Sequence, residues 1–269
     1  MKVGPGLLAR RRPSRRRQAV FPALVSLALS SCGIVSRPSP EQELAASVPA
    51  DTLALAGIHF DQIRDTNVSQ LLPAAWLSAL EPFRNASLVW AAYNGKDLLL
   101  LAAGNFAKAP SGTILLTPHL ALAGSETATR AAASQHATRR IAAQQLLSEA
   151  APVMHNPSWA VARGGTPLPV AGNLANLNRI LRFTEYATAG LSGESALSIY
   201  FTGYCASPEP ARHLEESLRA IVTLASTATH SADRKSLLQS IRIDREDSTV
   251  RVQLPLSQPA LEQLLGKSH

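Results

Sequence analysis

The stretch SLVWAAYNGKDLLLLAAG, residues 87–104, does most to restrict how this chain can fold. Asn94-Gly95 accepts the positive φ angles of a tight turn, and apolar, strand-forming runs flank it on both sides. The spacing predicts a β-hairpin, and a hairpin commits its neighbours to antiparallel pairing. Other runs supply strands to pair with it. TLALAGIHF, residues 52–60, is apolar enough for a buried strand, and TILLTPHLALAG, residues 113–124, gives one or two short strands broken at Pro118. SWAVARGG opens the second half at residue 158. SALSIYFTGYC, residues 195–205, alternates: Leu197, Ile199, Phe201 and Cys205 share one face, while Ser198, Tyr200, Thr202 and Tyr204 share a wetter one. Ile241 and Ile243 face Val250, Val252 and Leu254 across Asp247-Ser248, a second hairpin.

Helix signals fall between these runs. Ile63, Leu71 and Leu72 suit a helix after the first strand. Ser125 is an N-cap residue before an Ala-rich helix, and helical material continues to about Ala150 before Pro152 and Pro157. Asn173 reads as the cap of a helix carrying Leu174, Leu177 and Leu181, with Gly190 to close it. Ser207-Pro208-Glu209 starts a long helix whose apolar stripe is Leu214, Leu218, Ile221, Val222 and Ala225. Glu215–Arg219 and Arg212–Glu216 support it at i, i+4. Ser257 caps a short last helix with Leu261, Leu264 and Leu265. The expected class is therefore α+β: mainly antiparallel sheets with helices packed on one face. Strand–helix–strand opens both halves, at 52–93 and 158–205, so two similar lobes, 51–150 and 151–269, are expected within a globular domain of residues 51–269.

The N-terminal segment concerns location. Lys2, Arg10, Arg11, Arg12, Arg15, Arg16 and Arg17 precede an apolar run from Ala19 to Leu29, and no acidic residue occurs before Glu41. Eleven helical residues rise about 16 Å, roughly half of a ~30 Å hydrocarbon core, which is too short to span it. A basic start and a short apolar run are an export pattern. Here the run ends in Leu29-Ser30-Ser31-Cys32.

That tetrapeptide resembles the lipobox of bacterial lipoproteins. The resemblance implies a diacylglyceryl group on the Cys32 thiol, cleavage after Ser31, and acylation of the new amino group. It makes residues 1–31 a signal peptide and acylated Cys32 the link to a membrane. Gly33, which stands where a retention signal would place Asp, favours the outer over the inner membrane, with the domain facing the periplasm. Residues 32–50, with Arg37-Pro38 and Ser39-Pro40, read as a flexible tether. The order of elements after it resembles uncharacterised bacterial lipoprotein families that open with a VPADT-like strand, and no residue roles carry over from them.

Removing the leader also removes the charge. Seven of the 26 basic residues lie within residues 1–31, leaving 19 against 19 acidic ones. A nucleic-acid partner is therefore not expected. Cys205 is the only other thiol, and burial as a small hydrophobe is its expected state.

The chain carries no Gly-x-Gly-x-x-Gly, P-loop, His-Glu-x-x-His, Cys-x-x-Cys or Gly-x-Ser-x-Gly sequence. Its seven histidines stand far apart. No catalytic residue, metal ligand or cofactor is assigned. Asp61 and Asp65, at i, i+4, read as a solvated helix face. The most suggestive stretch is WAVARGGTPLPVAGNLANLNR, residues 159–179. Arg163 at a strand end, Gly164 and Gly165 beside it, and Asn173 and Asn176 on a helix start form a candidate pocket for a small anionic ligand. The reading is a lipid-anchored envelope protein acting as a non-catalytic binding module for an envelope protein or small ligand. Its competitors are an envelope hydrolase with a site assembled from distant residues, and a carrier of a lipid-like ligand.

Overall fold

The structure, a computed structural model, describes residues 38–63, 80–83, 85–169, 177–192 and 197–256. Contacts divide the chain at Arg37–Pro38, and all described residues belong to the second unit. Cys32, Asp65, Leu71, Leu72, Asn173, Leu174, Asn176 and the helix expected after Ser257 lie outside the described residues.

Among the described residues the ten strands are β1 (Ala54–His59), β2 (Ala86–Tyr93), β3 (Leu98–Gly104), β4 (Ile114–Thr117), β5 (Leu120–Gly124), β6 (Ser158–Arg163), β7 (Tyr186–Ser192), β8 (Leu197–Tyr204), β9 (Arg242–Glu246) and β10 (Thr249–Leu256). All pair antiparallel in one sheet of order β4-β5-β3-β2-β1-β6-β7-β8-β10-β9. The expected α+β class is what forms. The two halves repeat one strand order, 1-2-3-5-4 and 6-7-8-10-9, but β1 and β6 are hydrogen-bonded partners, so the lobes share a single continuous sheet.

The central hairpin forms as its turn residues dictate. Gly95 takes φ +95°, and the Asn94 side-chain oxygen accepts from the N–H groups of Lys96 and Asp97 at 3.0 and 2.8 Å. Asn fits because its carbonyl replaces backbone partners lost in the turn.

The helices are α1 (Pro40–Ala45), α2 (Phe60–Ile63), α3 (Glu126–Thr138), α4 (Gln144–Ala150), α5 (Leu177–Ile180), α6 (Pro208–Ala228) and α7 (Ala232–Gln239). Helix α1 corrects the tether. Ser39 and Gln42 form a reciprocal capping box, Pro40 occupies the first turn, and Leu44 and Val48 are fully buried against the sheet. Residues 38–50 are thus part of the domain, because two apolar side chains in reach of an open sheet face gain about 1.5–3 kcal/mol each by burial.

Each half of the sheet carries its longer helices on one face, and the two halves use opposite faces. Register places Leu122, Leu101, Trp90, Gly57, Trp159, Gly190 and Tyr200 in one row across seven strands. Over the first half of that face lie α1, α3 and α4, whose Leu44, Ala132 and Leu146 are fully buried. On the other face of the second half lies α6, with Leu214 against Gly203, Val250 and Ile243. The row explains two glycines. A β-carbon on Gly57 would fall 2.3 Å from the Trp159 indole, and one on Gly190 would fall 2.6 Å from the Tyr200 hydroxyl. Aromatic rings lying across bare strand positions pack a sheet that glycine alone would weaken.

Two expected helices differ. The segment read as one helix closing at Gly190 is α5 and one 3-10 turn, Leu181–Phe183, followed by strand β7. Gly190 is mid-strand, paired with Trp159 and Tyr200. Helix α6 starts as expected but buries only Ala211 and Leu214; Ile221 is 36% and Leu224 68% exposed, and Ala225 is exposed too.

Candidate functional site

Strand β6 delivers Arg163 to its C-terminal end, as the sequence suggests, but the two glycines after it face protein. Gly164 N–H donates to the Glu185 carbonyl at 2.7 Å and Gly165 N–H to Leu181 at 3.0 Å. A β-carbon at Gly164 would sit 1.7 Å from the Thr184 carbonyl oxygen, so glycine is required there for chain to pass chain. The loop is closed further by Asn178, whose side chain exchanges hydrogen bonds with the Leu168 N–H and carbonyl at 2.9 and 3.1 Å. The backbone donors of residues 164 and 165 are therefore already used. Asn178, two positions beyond Asn176, holds the loop.

Arg163 itself belongs to a different surface. Beyond α4 the same sheet face that carries the tryptophans opens. Register sets Arg163, Tyr186, Tyr204, Thr249 and Glu246 in one row, and Val161, Thr188, Thr202, Arg251 and Asp244 in the next. The third row continues from Trp159 through Gly190 and Tyr200 to Gln253 and Arg242. The inner part of this floor is phenol and hydroxyl. Three of the chain's four tyrosines stand on it, Tyr186 and Tyr204 stack at 4.3 Å, and Thr188 is buried beside them. The outer part is charged and exposed, with Arg251 and Glu246 paired at 2.9 Å.

The wall of this ledge is α4 and the turn after it. Asn156, 8% exposed, donates through Nδ2 to the Val153 carbonyl at 2.9 Å and to the Tyr200 hydroxyl. Glu149 uses Oε1 to accept from Gln145 at 3.0 Å, while its Oε2 is buried without a hydrogen-bond partner. Arg163 Nε is likewise buried and unpartnered. Burial first, and then the charges or phenols nearby (Tyr204, Glu149 and Glu185), raise the Tyr186 hydroxyl above its ordinary pKa; burial and then Tyr204 raise Tyr200. Both phenols are thus neutral donors at neutral pH.

Elsewhere, a surface cavity of 310 Å³ lies between the Arg182–Glu185 segment and the start of α6, lined also by Ala206, Glu209, Pro210 and His213. Two of its ionisable groups, Glu209 and His213, are engaged with each other and with their helix neighbours. Glu209 accepts from Arg212 at 2.8 Å and lies 3.2 Å from His213 Nε2, and the Arg212 hydrogen bond holds its carboxyl below the ordinary value. A carboxylate so held stays ionised and cannot deliver a proton near neutral pH. Ser207 makes no side-chain cap bond, and one of the two positions that could donate to it, the third of the helix, is Pro210, which has no N–H.

Ser47 and His136 make a serine–histidine contact: Ser47 Oγ stands 3.0 Å from His136 Nδ1. Ser47 is fully buried, and its hydroxyl donates to the Glu43 carbonyl at 2.8 Å. A nucleophile needs its proton on the base and its oxygen open to substrate. Ser47 offers neither, and the pair joins the turn after α1 to α3. Cys205 is buried, and burial followed by the Glu185 charge pushes its thiol up, away from thiolate chemistry. Among the described residues no group of three His, Cys, Asp or Glu side chains is placed to hold a metal ion, and no helix is long and apolar enough to cross a membrane.

No family model and no curated protein matches the chain. Among solved structures, it is similar to crystal form I of TP0453, with 9% identity and a TM-score of 0.45 over 86% of this chain and 98% of that one. Crystal form III of TP0453 aligns with 9% identity and a TM-score of 0.43 over 83% and 98% of the two chains.

Proposed function

We propose that the chain is a lipid-anchored protein of the cell envelope, held by acylated Cys32 on the periplasmic side of the outer membrane, whose domain is a non-catalytic binding module. The observation that carries this reading is the sequence Leu29-Ser30-Ser31-Cys32 behind a basic start and a short apolar run. Two or three acyl chains on one residue hold a protein on a bilayer, whereas one chain holds it only marginally. The half-open sheet face supports the binding part: it presents partly exposed phenols and hydroxyls. A small envelope component or a second envelope protein is the partner class.

The test is processing. Cys32→Ser in the native host should accumulate as a longer precursor retaining residues 1–31. Normal maturation of that variant removes the anchor from the account.

A further inference from the structure

The two halves repeat one strand order, so β4 and β9 hold equivalent positions, the terminal strands at the two ends of the sheet. A terminal strand presents unpaired N–H and C=O groups, and charged side chains on it discourage a further strand from pairing. Strand β9 carries that protection: Arg242, Asp244, Arg245 and Glu246 are all exposed. Strand β4 does not. Residues 109–118, APSGTILLTP, hold no charge, and Ile114, 52% exposed, is the most exposed large aliphatic residue on any described strand. Among the described residues no strand pairs with the outer edge of β4.

The sequence of β4 fits a second copy of itself. Thr113-Ile114-Leu115-Leu116-Thr117 has nearly the same chemistry read in either direction. Antiparallel pairing centred on Leu115 sets Ile114 opposite the partner's Leu116 and Thr113 opposite the partner's Thr117. Aliphatic pairs and threonine pairs directly opposite are favourable cross-strand contacts. Both faces of the sheet gain. Leu116 packs against the cluster of Leu44, Trp90 and Leu146, and Leu115 against that of Phe83, Val89 and Phe106 on the other face. Pairing therefore continues both apolar clusters from one copy into the next.

The other pairings fit worse. Strand β4 against the partner's β9 sets aliphatic side chains against charges, and a head-to-tail contact adds copies without closing. Strand β9 against itself, centred on Asp244, sets two aspartates opposite each other. The four-residue length of β4, its register shift between Leu115 and Thr117, and the flanking Pro110 and Pro118 keep the ladder short. They limit the strength of pairing without repelling it. So short a contact falls below the roughly 1,000 Å² of a stable interface, which makes the association weak and concentration-dependent.

We propose that the outer edge of β4 is a self-association surface, where two copies of this chain pair antiparallel through Thr113–Thr117 across a two-fold axis and close as a dimer.

The test uses the full chain in detergent, with micelles in excess over protein, from about 1 µM to about 1 mM. Sedimentation gives the number of copies, and hydrogen–deuterium exchange locates the contact. The expected result is a rise from one copy to two and no further, with exchange slowed at high concentration in peptides spanning 113–117. Ile114→Lys, a charge placed at an exposed position, should weaken association about tenfold without lowering the melting temperature. Leu224→Lys, on the exposed side of α6, should associate as the parent does. Should Ile114→Lys melt early, Ile114→Gln carries the comparison. A single copy at every concentration, growth beyond two copies, protection at β9 or α6 with none at 113–117, or full association in the folded Ile114 variant overturns the proposal. The state of Cys32 does not enter these readouts, so the anchor stands or falls separately.

Discussion

The indole of Trp159 lies across Gly57, the residue opposite it on the neighbouring strand, so closely that a β-carbon on that glycine would fall 2.3 Å from the ring. Trp90 flanks Gly57 from the other side and meets Trp159 edge to face at 5.5 Å. Both rings are almost fully buried, so neither can retreat. This contact welds the two halves of the sheet at the β1–β6 seam.

Gly57→Ala should therefore cost about 3 kcal/mol, the upper end of the range for overpacking a rigid core. Gly112→Ala serves as comparison. That glycine has φ +73° but open space around it, so only the backbone penalty of about 1 kcal/mol applies. Urea midpoints of the two variants should rank accordingly, and Trp159→Leu should partly rescue Gly57→Ala. Equal midpoints would mean the indole is free to move.

Leu214 and Leu224 test where α6 is held. Leu214 is fully buried over Gly203, and Leu224 is 68% exposed. Leu214→Ala should lose about 2–5 kcal/mol, and Leu224→Ala should stay within about 0.5 kcal/mol of the parent. Thermal melts distinguish them.

Glu215 makes the fold pH-sensitive at its far edge. It accepts from Arg219 at 2.9 Å and Arg245 at 3.0 Å, joining α6 to β9, and Arg219 in turn donates to the Ile243 carbonyl at 2.6 Å. The Arg219 hydrogen bond is the largest cause holding its carboxyl below the ordinary value. A folded pKa below the unfolded one gives stability that is complete above the unfolded value, about 4.3, and is lost as pH falls through the folded one. The parent should therefore lose stability below about pH 4.3 more steeply than Glu215→Gln. Parallel slopes would show that the pairs contribute nothing, as exposed ion pairs often do.

Ser47→Ala separates strut from nucleophile. Loss of its hydrogen bonds should lower stability by about 1 kcal/mol, and any esterase activity of the preparation should be unchanged. Activity that vanishes with a stable fold would restore the hydrolase reading.

The elements legible in the sequence were those with strong local chemistry. Asn94-Gly95 defines its own turn, and the alternation of Leu197 to Tyr204 defines its own faces. Strand β7 was hidden because Tyr186–Ser192 holds one large aliphatic residue, Leu191, and its neighbours are threonine, alanine and glycine. Its strand character comes from Trp159 and Tyr200 on the strands beside it, which fill the space Gly190 leaves. Helix α1 was hidden behind two prolines, although Ser39 and Gln42 carry the spacing of a capping box. Of the candidate ligand residues, Arg163 reaches an open surface, and Gly164 and Gly165 answer to packing. Glu149, Asn156 and Tyr186 join Arg163 through register and a helix end, relationships with no trace in linear spacing. The reading of Cys32 rests on its neighbours in sequence alone, and the residue lies outside the described ones.

The most direct measurement of the central claim is the intact mass of the protein extracted from its own membranes. The account predicts a polypeptide that begins at Cys32 and carries the added mass of a diacylglyceryl group, with or without a further acyl chain. A chain that retains residues 1–31, or one cut elsewhere and bearing no lipid, would contradict it.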